Sequence, residues 1–291
     1  SFEIRIGKEA ERGEPLDVTA PYGQGFRVVV RENEALLYGE TDLATSYAIY
    51  ELLDRLGARW FMPGPLGEVL PGRGPLALPR LDERRAPSTT YRAVWFADDA
   101  WRRRNREGGF RIEAGHALEA YLTDEDRAKH PEWTAIVNGK PDPARLHWSS
   151  TTLPKTLAQR IVETYRRYRS PSLSISPNDG AVFDDSAEDQ ALDAGDFDPT
   201  MGMTSLTDRY LVLANRVAAH VAEEEPKLAL GFLAYVQYTR PPVREKLHPN
   251  LVPQIAPITY SRAHPMSDSR VPGNTELRAV IDRWGRIAPT G

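Results

Sequence analysis

The pattern of apolar and polar positions changes period along the chain, and each change predicts an element. Residues 2–6 (FEIRI) alternate and stop at Gly7, which predicts a first strand. Residues 26–31 and 35–39 flank the turn Glu32-Asn33-Glu34 and predict a hairpin. From Thr41 the spacing becomes helical. Leu43, Tyr47, Ile49, Tyr50, Leu52, Leu53 and Leu56 recur on it, and Gly57 stops it in the usual C-terminal position. Short strands are predicted at 59–61 and 68–70. Residues 1–80 are therefore expected to form a small α+β domain, with one helix covering a small sheet.

Residues 76–88 (LALPRLDERRAPS) are proline-rich and charged without sustained periodicity. They predict a linker, taken as 81–90, that separates the first domain from a second one over 91–291. Beyond it, strands are predicted at 91–96, 133–137, 172–176, 228–238 and 251–258. Helices are predicted at 118–130, 153–168 (with Pro154 in its first turn) and 274–286. A long helix should follow Ser205-Leu206-Thr207-Asp208, which resembles a capping box. Its apolar stripe is Leu206, Tyr210, Leu213, Val217 and Val221, and Pro226 lies past its end. Strands alternating with helices over crossover-length connections predict an α/β fold with a parallel sheet, and specifically a (β/α) TIM-type barrel. About five strands are found where such a barrel has about eight. Either the chain holds only the barrel's first part, ending at Thr290-Gly291 soon after a helix, or the sheet is open; the first is expected.

Composition narrows the function classes. The 291 residues are 41% apolar, with 37 basic and 41 acidic side chains and a net charge of −4, which disfavours nucleic acid or an anionic membrane as the main partner. No apolar run reaches the roughly 18 residues of a membrane span. The absence of cysteine removes disulfides, thiolate catalysis and cysteine–zinc sites. No P-loop, GxGxxG, GxSxG or HExxH occurs, so neither a metal nor an organic cofactor is expected. No signal peptide is recognisable, although a chain opening on Ser1 is expected to have been trimmed.

The stretch 172–180 (SLSISPNDG) carries the leading candidates. Pro177 ends the strand, having no N–H to donate, and Asn178-Asp179-Gly180 is turn chemistry. A carboxamide and a carboxylate thus stand at a strand end, where reacting groups sit in barrel and open-sheet enzymes; a plain turn is the alternative. Asp98 and Asp99 lie between Trp95 and Trp101, as in a sugar subsite or as in a solvated loop beside packing aromatics. His116, after Gly115, is either a hydroxyl-binding group or a structural one; His130 reads as structural. Tyr235 and Tyr238, three apart on one strand, should take opposite faces, one of them towards the site. Tyr260 and His264 are further strand-end candidates. The acids Asp184, Asp185, Glu188, Asp189, Asp193, Asp196 and Asp198 lack EF-hand spacing and predict a solvated loop.

Two parts of the chain also resemble known families. Residues 44–71, with the tyrosine-rich helix, Arg59-Trp60-Phe61 and the exit PGPLGEVLP, resemble the non-catalytic α+β domain preceding the barrel of α-glucuronidases and β-hexosaminidases. The remainder is similar to the barrel of glycoside hydrolase family 163, formerly a domain of unknown function. The carrying residues are Gly115-His116, His130-Pro131-Glu132-Trp133 with Gly139-Lys140, SISPNDG, Asn215-Arg216-Val217-Ala218, LAYVQY at 233–238, and Pro241-Pro242. In that family a C-x-C-x-x-C cluster follows NDG, where this chain has Asp184, Ser186 and Asp189.

The resemblance implies an endo-β-N-acetylglucosaminidase acting on complex N-glycans. Asp179 would be the acid or the group orienting the substrate acetamide, beside Asn178, with Asp98 a further carboxylate. Trp95, Asp99, His116, Tyr235, Tyr238, Tyr260 and His264 would be sugar contacts. The expected partner is carbohydrate, in a secreted or cell-surface setting, with a cytoplasmic one left open. Two alternatives stand beside it. One is a non-catalytic carbohydrate-binding protein on the same scaffold. The other is an α-glucuronidase-like enzyme, which needs converging arginines, Arg92 and Arg104 being the nearest.

Overall fold

The computed structural model describes residues 2–11, 13–72, 74 and 77–288. Leu76, where the expected linker begins, and the terminal Thr290-Gly291 lie outside them. The chain divides into two compact units, Ser1–Arg111 and Ile112–Gly291.

In the first unit, β1 (Glu3–Ile6), β2 (Phe26–Val30) and β3 (Glu34–Gly39) join one sheet, with β1 parallel and β2 antiparallel to β3. Helix α1 (Asp42–Arg55) is capped by the Thr41 side chain, which accepts from Ala44 N, and buries Ala44, Tyr47, Ala48 and Leu52 against Phe26, Val28 and Leu37. Two short strands, β4 (Arg59–Trp60) and β5 (Glu68–Val69), pair with each other. The chain then enters β6 (Leu81–Arg85), the fourth strand of the main sheet, antiparallel to β2. The linker expected over 81–90 is thus replaced over 81–85 by an edge strand. Its charges are held by the sheet and by α1: Asp82 pairs with the buried Arg27 of β2, and Glu83 and Arg85 pair with Arg55 and Glu51 of the helix.

The strand expected over 91–96 is confined to β7 (Tyr91–Arg92), paired with β8 (Gly108–Gly109). Phe96 turns with φ +66°, and Asp98 then caps α2 (Asp99–Arg104), so the chain leaves the extended conformation early.

The second unit opens with 112–117 and a 3-10 turn at Leu118–Tyr121. Helix α3 (Asp124–Lys129) starts afresh because Thr123 and Asp126 form a capping box, which divides the single helix expected over 118–130. After β9 (Thr134–Val137) and β10 (Lys140–Leu146) comes α4 (Leu153–Tyr168), which buries Leu153, Leu157, Ile161 and Val162. Next are β11 (Ser172–Ser174), α5 (Ala187–Gln190), the pair β12 (Phe197–Asp198) and β13 (Met203–Thr204), and α6 (Thr207–Glu224). Leu206 occupies the N-cap of α6 without a side-chain bond, so the expected capping box is absent. Asp208 instead accepts from the backbone N–H groups of Val243, Arg244 and Glu245. The last elements are β14 (Ala229–Ala234), β15 (Leu251–Ile255) and α7 (Pro272–Ile287).

The unit is mixed α/β, with several small sheets and no closed barrel among the described residues. Strands β11, β14 and β15 are parallel neighbours in chain order, and α4 packs along α6 to cover them. Residues 112–117 line the free side of β11. His116 bridges Ser176 in parallel, Ser174 and Ser176 donate to the carbonyls of Gly115 and Ala114, and Glu113 N donates to Ser172 Oγ at 2.7 Å. Gly231 allows this segment its close approach, because a Cβ there would stand 2.1 Å from the Glu113 carbonyl oxygen.

The acidic run does not form a solvated loop. Asp193 pairs with Arg209 and Asp196 with Arg240, each at 2.6 Å, while Asp184, Asp189 and Asp198 are buried. The buried guanidinium groups of Arg209 and Arg240 draw in Asp193 and Asp196.

Candidate functional site

The ends of β11, β14 and the bridged segment 112–117 meet at one place in the second unit. Past β11 the turn 177–180 is held from beneath. The Arg145 guanidinium donates to the carbonyls of Asn178 and Asp179, the Asn178 carboxamide donates to Ala144 O at 3.0 Å, and Asn178 N donates to Glu119 Oε2 at 2.7 Å. Gly180 has φ +123°, and a Cβ there would stand 2.4 Å from Arg145 Nη2, so neither backbone nor space admits a larger residue. The fixed turn presents the Asp179 carboxylate outwards, with 68% of the side chain exposed.

His116 and Tyr235 face that carboxylate. His116 Nδ1 lies 2.5 Å from Pro177 O. A carbonyl only accepts, so Nδ1 carries the hydrogen, and in the neutral ring Nε2 presents its lone pair. Nε2 stands 3.7 Å from Asp179 Oδ1. The Tyr235 ring lies 5.9 Å from the imidazole, close enough to feel the Asp179 charge. Burial, then the Asp179 charge, raises the Tyr235 pKa and keeps the phenol a donor.

Glu119, absent from the sequence candidates, lies under this group. It is 3% exposed, its Oε1 has no partner, and burial pushes its carboxyl up to about 7 against the opposing pull of its own backbone N–H, Asn178 N–H, Arg145 and Arg127. Its only sequence signal is an acid between Leu118 and Ala120. The burial comes from a turn about 60 residues on, which local pattern does not reveal.

The Glu119 shift has a definite sign. A carboxyl raised in the folded state stabilises the fold below its unfolded pKa of about 4.5, and that contribution is lost as pH rises through about 7. Its size is on the order of 3 kcal/mol. The Glu119→Gln protein should therefore lose less stability than the unmodified one between pH 5 and pH 7.5, read as melting temperature. Parallel pH curves would contradict a buried, proton-holding Glu119.

The other sequence candidates are placed differently. Tyr238 is 1% exposed in a core of Trp148, Phe183 and Tyr210, because Val236 turns with φ +48° and ends the strand before it; sugar contact there is corrected to packing. Tyr260 lies under Arg262, and His264 Nδ1 bonds Ser261 Oγ at 2.8 Å; neither makes a hydrogen bond or ring contact with Asp179, His116 or Tyr235. In the first unit, Asp98 Oδ1 accepts from Trp101 N at 2.8 Å, so this carboxylate is spent on a helix cap. Asp99 is exposed beside Arg102. Trp95 is 83% exposed and stacks on Phe96 with centroids 5.1 Å apart. Arg92 is occupied by the Arg106 carbonyl and Arg104 by Glu68 and the Trp60 ring, so neither is free for a uronate.

The second unit is thus a mixed α/β body with a carboxylate, an imidazole and a phenol converging at the C-terminal ends of neighbouring parallel segments. Residues 62–290 match the family described as "Domain of unknown function (DUF4838)", and the chain belongs to that family. No curated protein matches the chain.

Proposed function

We propose that this chain is a glycoside hydrolase cleaving β-linked N-acetylhexosaminides, in the manner of an endo-β-N-acetylglucosaminidase. In this reading 112–117, β11, β14 and β15 are successive strands of a (β/α) barrel. The observation that carries the proposal is the convergence of His116, Asp179 and Tyr235 at one end of those strands. An N-acetyl sugar can supply its own nucleophile, the acetamide oxygen, provided that a protein group holds the acetamide N–H. Asp179 suits that task better than the role of a buried acid, because it is exposed and already accepts from Gly180 N, with the Tyr235 phenol beside its charge. In its protonated form His116 is the group beside it able to give a proton from Nε2 to the leaving oxygen.

Carbohydrate is the partner proposed, and a secreted or cell-surface setting fits such a substrate. The stacked Trp95–Phe96 pair in the first unit offers a flat apolar face of the kind pyranose rings cover. The exposure of Asp179 also favours a second reading, a carbohydrate-binding protein without turnover. Incubation with a chromogenic β-N-acetylglucosaminide and with a complex N-glycan decides between them. Release of the chromophore or of a cleaved glycan is the expected outcome. Saturable binding with no product over days would establish the binding protein instead.

A further inference from the structure

A second constellation in the same unit surrounds His147. Its Nδ1 stands 2.8 Å from Asp184 Oδ2 and 3.5 Å from Asp189 Oδ1, and its Nε2 stands 2.7 Å from Ser149 Oγ. Both carboxylates are sealed, with side-chain exposures of 1% and 0%, whereas the imidazole is 19% exposed and Ser149 is half-buried.

Carboxylates accept and do not donate, so Nδ1 carries the hydrogen. In the neutral ring Nε2 is then a lone pair, and Ser149 is the group that donates to it. A hydroxyl bonded to an imidazole that is oriented by a buried carboxylate is the arrangement that activates serine in acyl transfer, and it is recognised by geometry rather than by sequence order. The carboxylates are themselves fixed. Asp184 accepts from Ser186 N and Ile136 N, and Asp189 accepts from Trp148 N and Ser149 N. Helix α4 begins four residues after Ser149, with Leu153 N donating to Ser150 Oγ and Pro154 in its first turn.

We propose that Ser149 is the nucleophile of an esterase site, with His147 as its base. The substrate class is an ester with a small acyl group, such as an acetyl ester, whose alcohol portion stays in solvent. Ser149 Oγ forms a bond to the acyl carbon while its proton passes to His147 Nε2 and the carbonyl electron pair moves to oxygen. The ester C–O bond then breaks, and the imidazolium returns the proton to the leaving alcohol. Water repeats the sequence on the acyl-serine, giving acid and free serine. The net change is ester plus water to acid plus alcohol, with no oxidant or reductant.

The site competes with one other reading. His147, Asp184 and Asp189 offer ligand atoms within 4.8 Å of one another, the spacing of groups around a cation. The four backbone N–H bonds onto the carboxylates and the short Nδ1–Asp184 contact favour the proton network.

A fluorophosphonate probe on the full chain, with peptide mapping by mass spectrometry, tests the proposal, together with hydrolysis of p-nitrophenyl acetate. One adduct on Ser149 is expected, and the Ser149→Ala protein should lose the adduct and at least about 10²-fold of the ester hydrolysis. That variant keeps the His147–Asp184 bond, should melt with the unmodified protein, and should cleave or bind glycan unchanged. Failure of the glycosidase reading would therefore leave this result untouched. An unlabelled Ser149 in the folded, unmodified protein would overturn the proposal. So would one tightly bound divalent metal per chain whose removal by chelator is needed before any labelling occurs.

Discussion

Asp179→Asn is expected to lower hydrolysis of a β-linked N-acetylglucosaminide by about 10²-fold or more while leaving glycan affinity within a few-fold. Asparagine keeps the side-chain shape and still accepts from Gly180 N, so the turn held by Arg145 and Glu119 should not move. What it loses is the negative charge that would hold the acetamide N–H as the anomeric centre becomes cationic. The loss should therefore fall on kcat rather than on KM. His116→Ala should fall in the same direction, because both groups face one point. An Asp179→Asn protein that cleaves at the unmodified rate would remove Asp179 from the chemistry.

The second large effect is structural. Gly231→Ala is expected to destabilise the second unit by about 3 kcal/mol or more, because the new methyl would meet the Glu113 carbonyl oxygen at 2.1 Å and the backbone of 112–117 would have to retreat. That segment carries His116, so hydrolysis should fall with stability. Gly115→Ala is the control. Its Cβ meets nothing within 4 Å, and it should cost less than about 1 kcal/mol. Denaturant midpoints of the two variants make the comparison, and equal midpoints would show that the close approach at Gly231 is not a constraint.

Much of this arrangement was legible in the sequence, and the failures have identifiable causes. The α4 boundaries matched because an apolar stripe with Pro154 in its first turn marks both face and start. Asp179 is readable as a strand-end residue from Pro177, and Tyr235 from the strand expected over 228–238, whereas His116 stands out only for following Gly115, because its bridge to Ser176 joins residues about 60 apart. Strand β6 was hidden because its sequence, LDERR, is charged; the compensating groups Arg27, Arg55 and Glu51 are remote in the chain. The sequence does not reveal that Tyr238 packs inwards, because nothing local announces that Val236 adopts φ +48°. The inward turn of Asp184 and Asp189 was missed for a similar reason. Their donors at Ile136, His147, Trp148 and Ser149 are distant residues, so a composition argument sees only charge.

The claim that the three strand ends form a sugar-processing site is tested most directly by a crystal structure of the Asp179→Asn protein soaked with a complex N-glycan fragment. The expected result is an N-acetylglucosamine whose acetamide lies within hydrogen-bond distance of residue 179 or of the Tyr235 hydroxyl, with His116 Nε2 facing the glycosidic oxygen. Glycan density elsewhere on the molecule, with His116 and Tyr235 uncovered at saturating ligand, would contradict it.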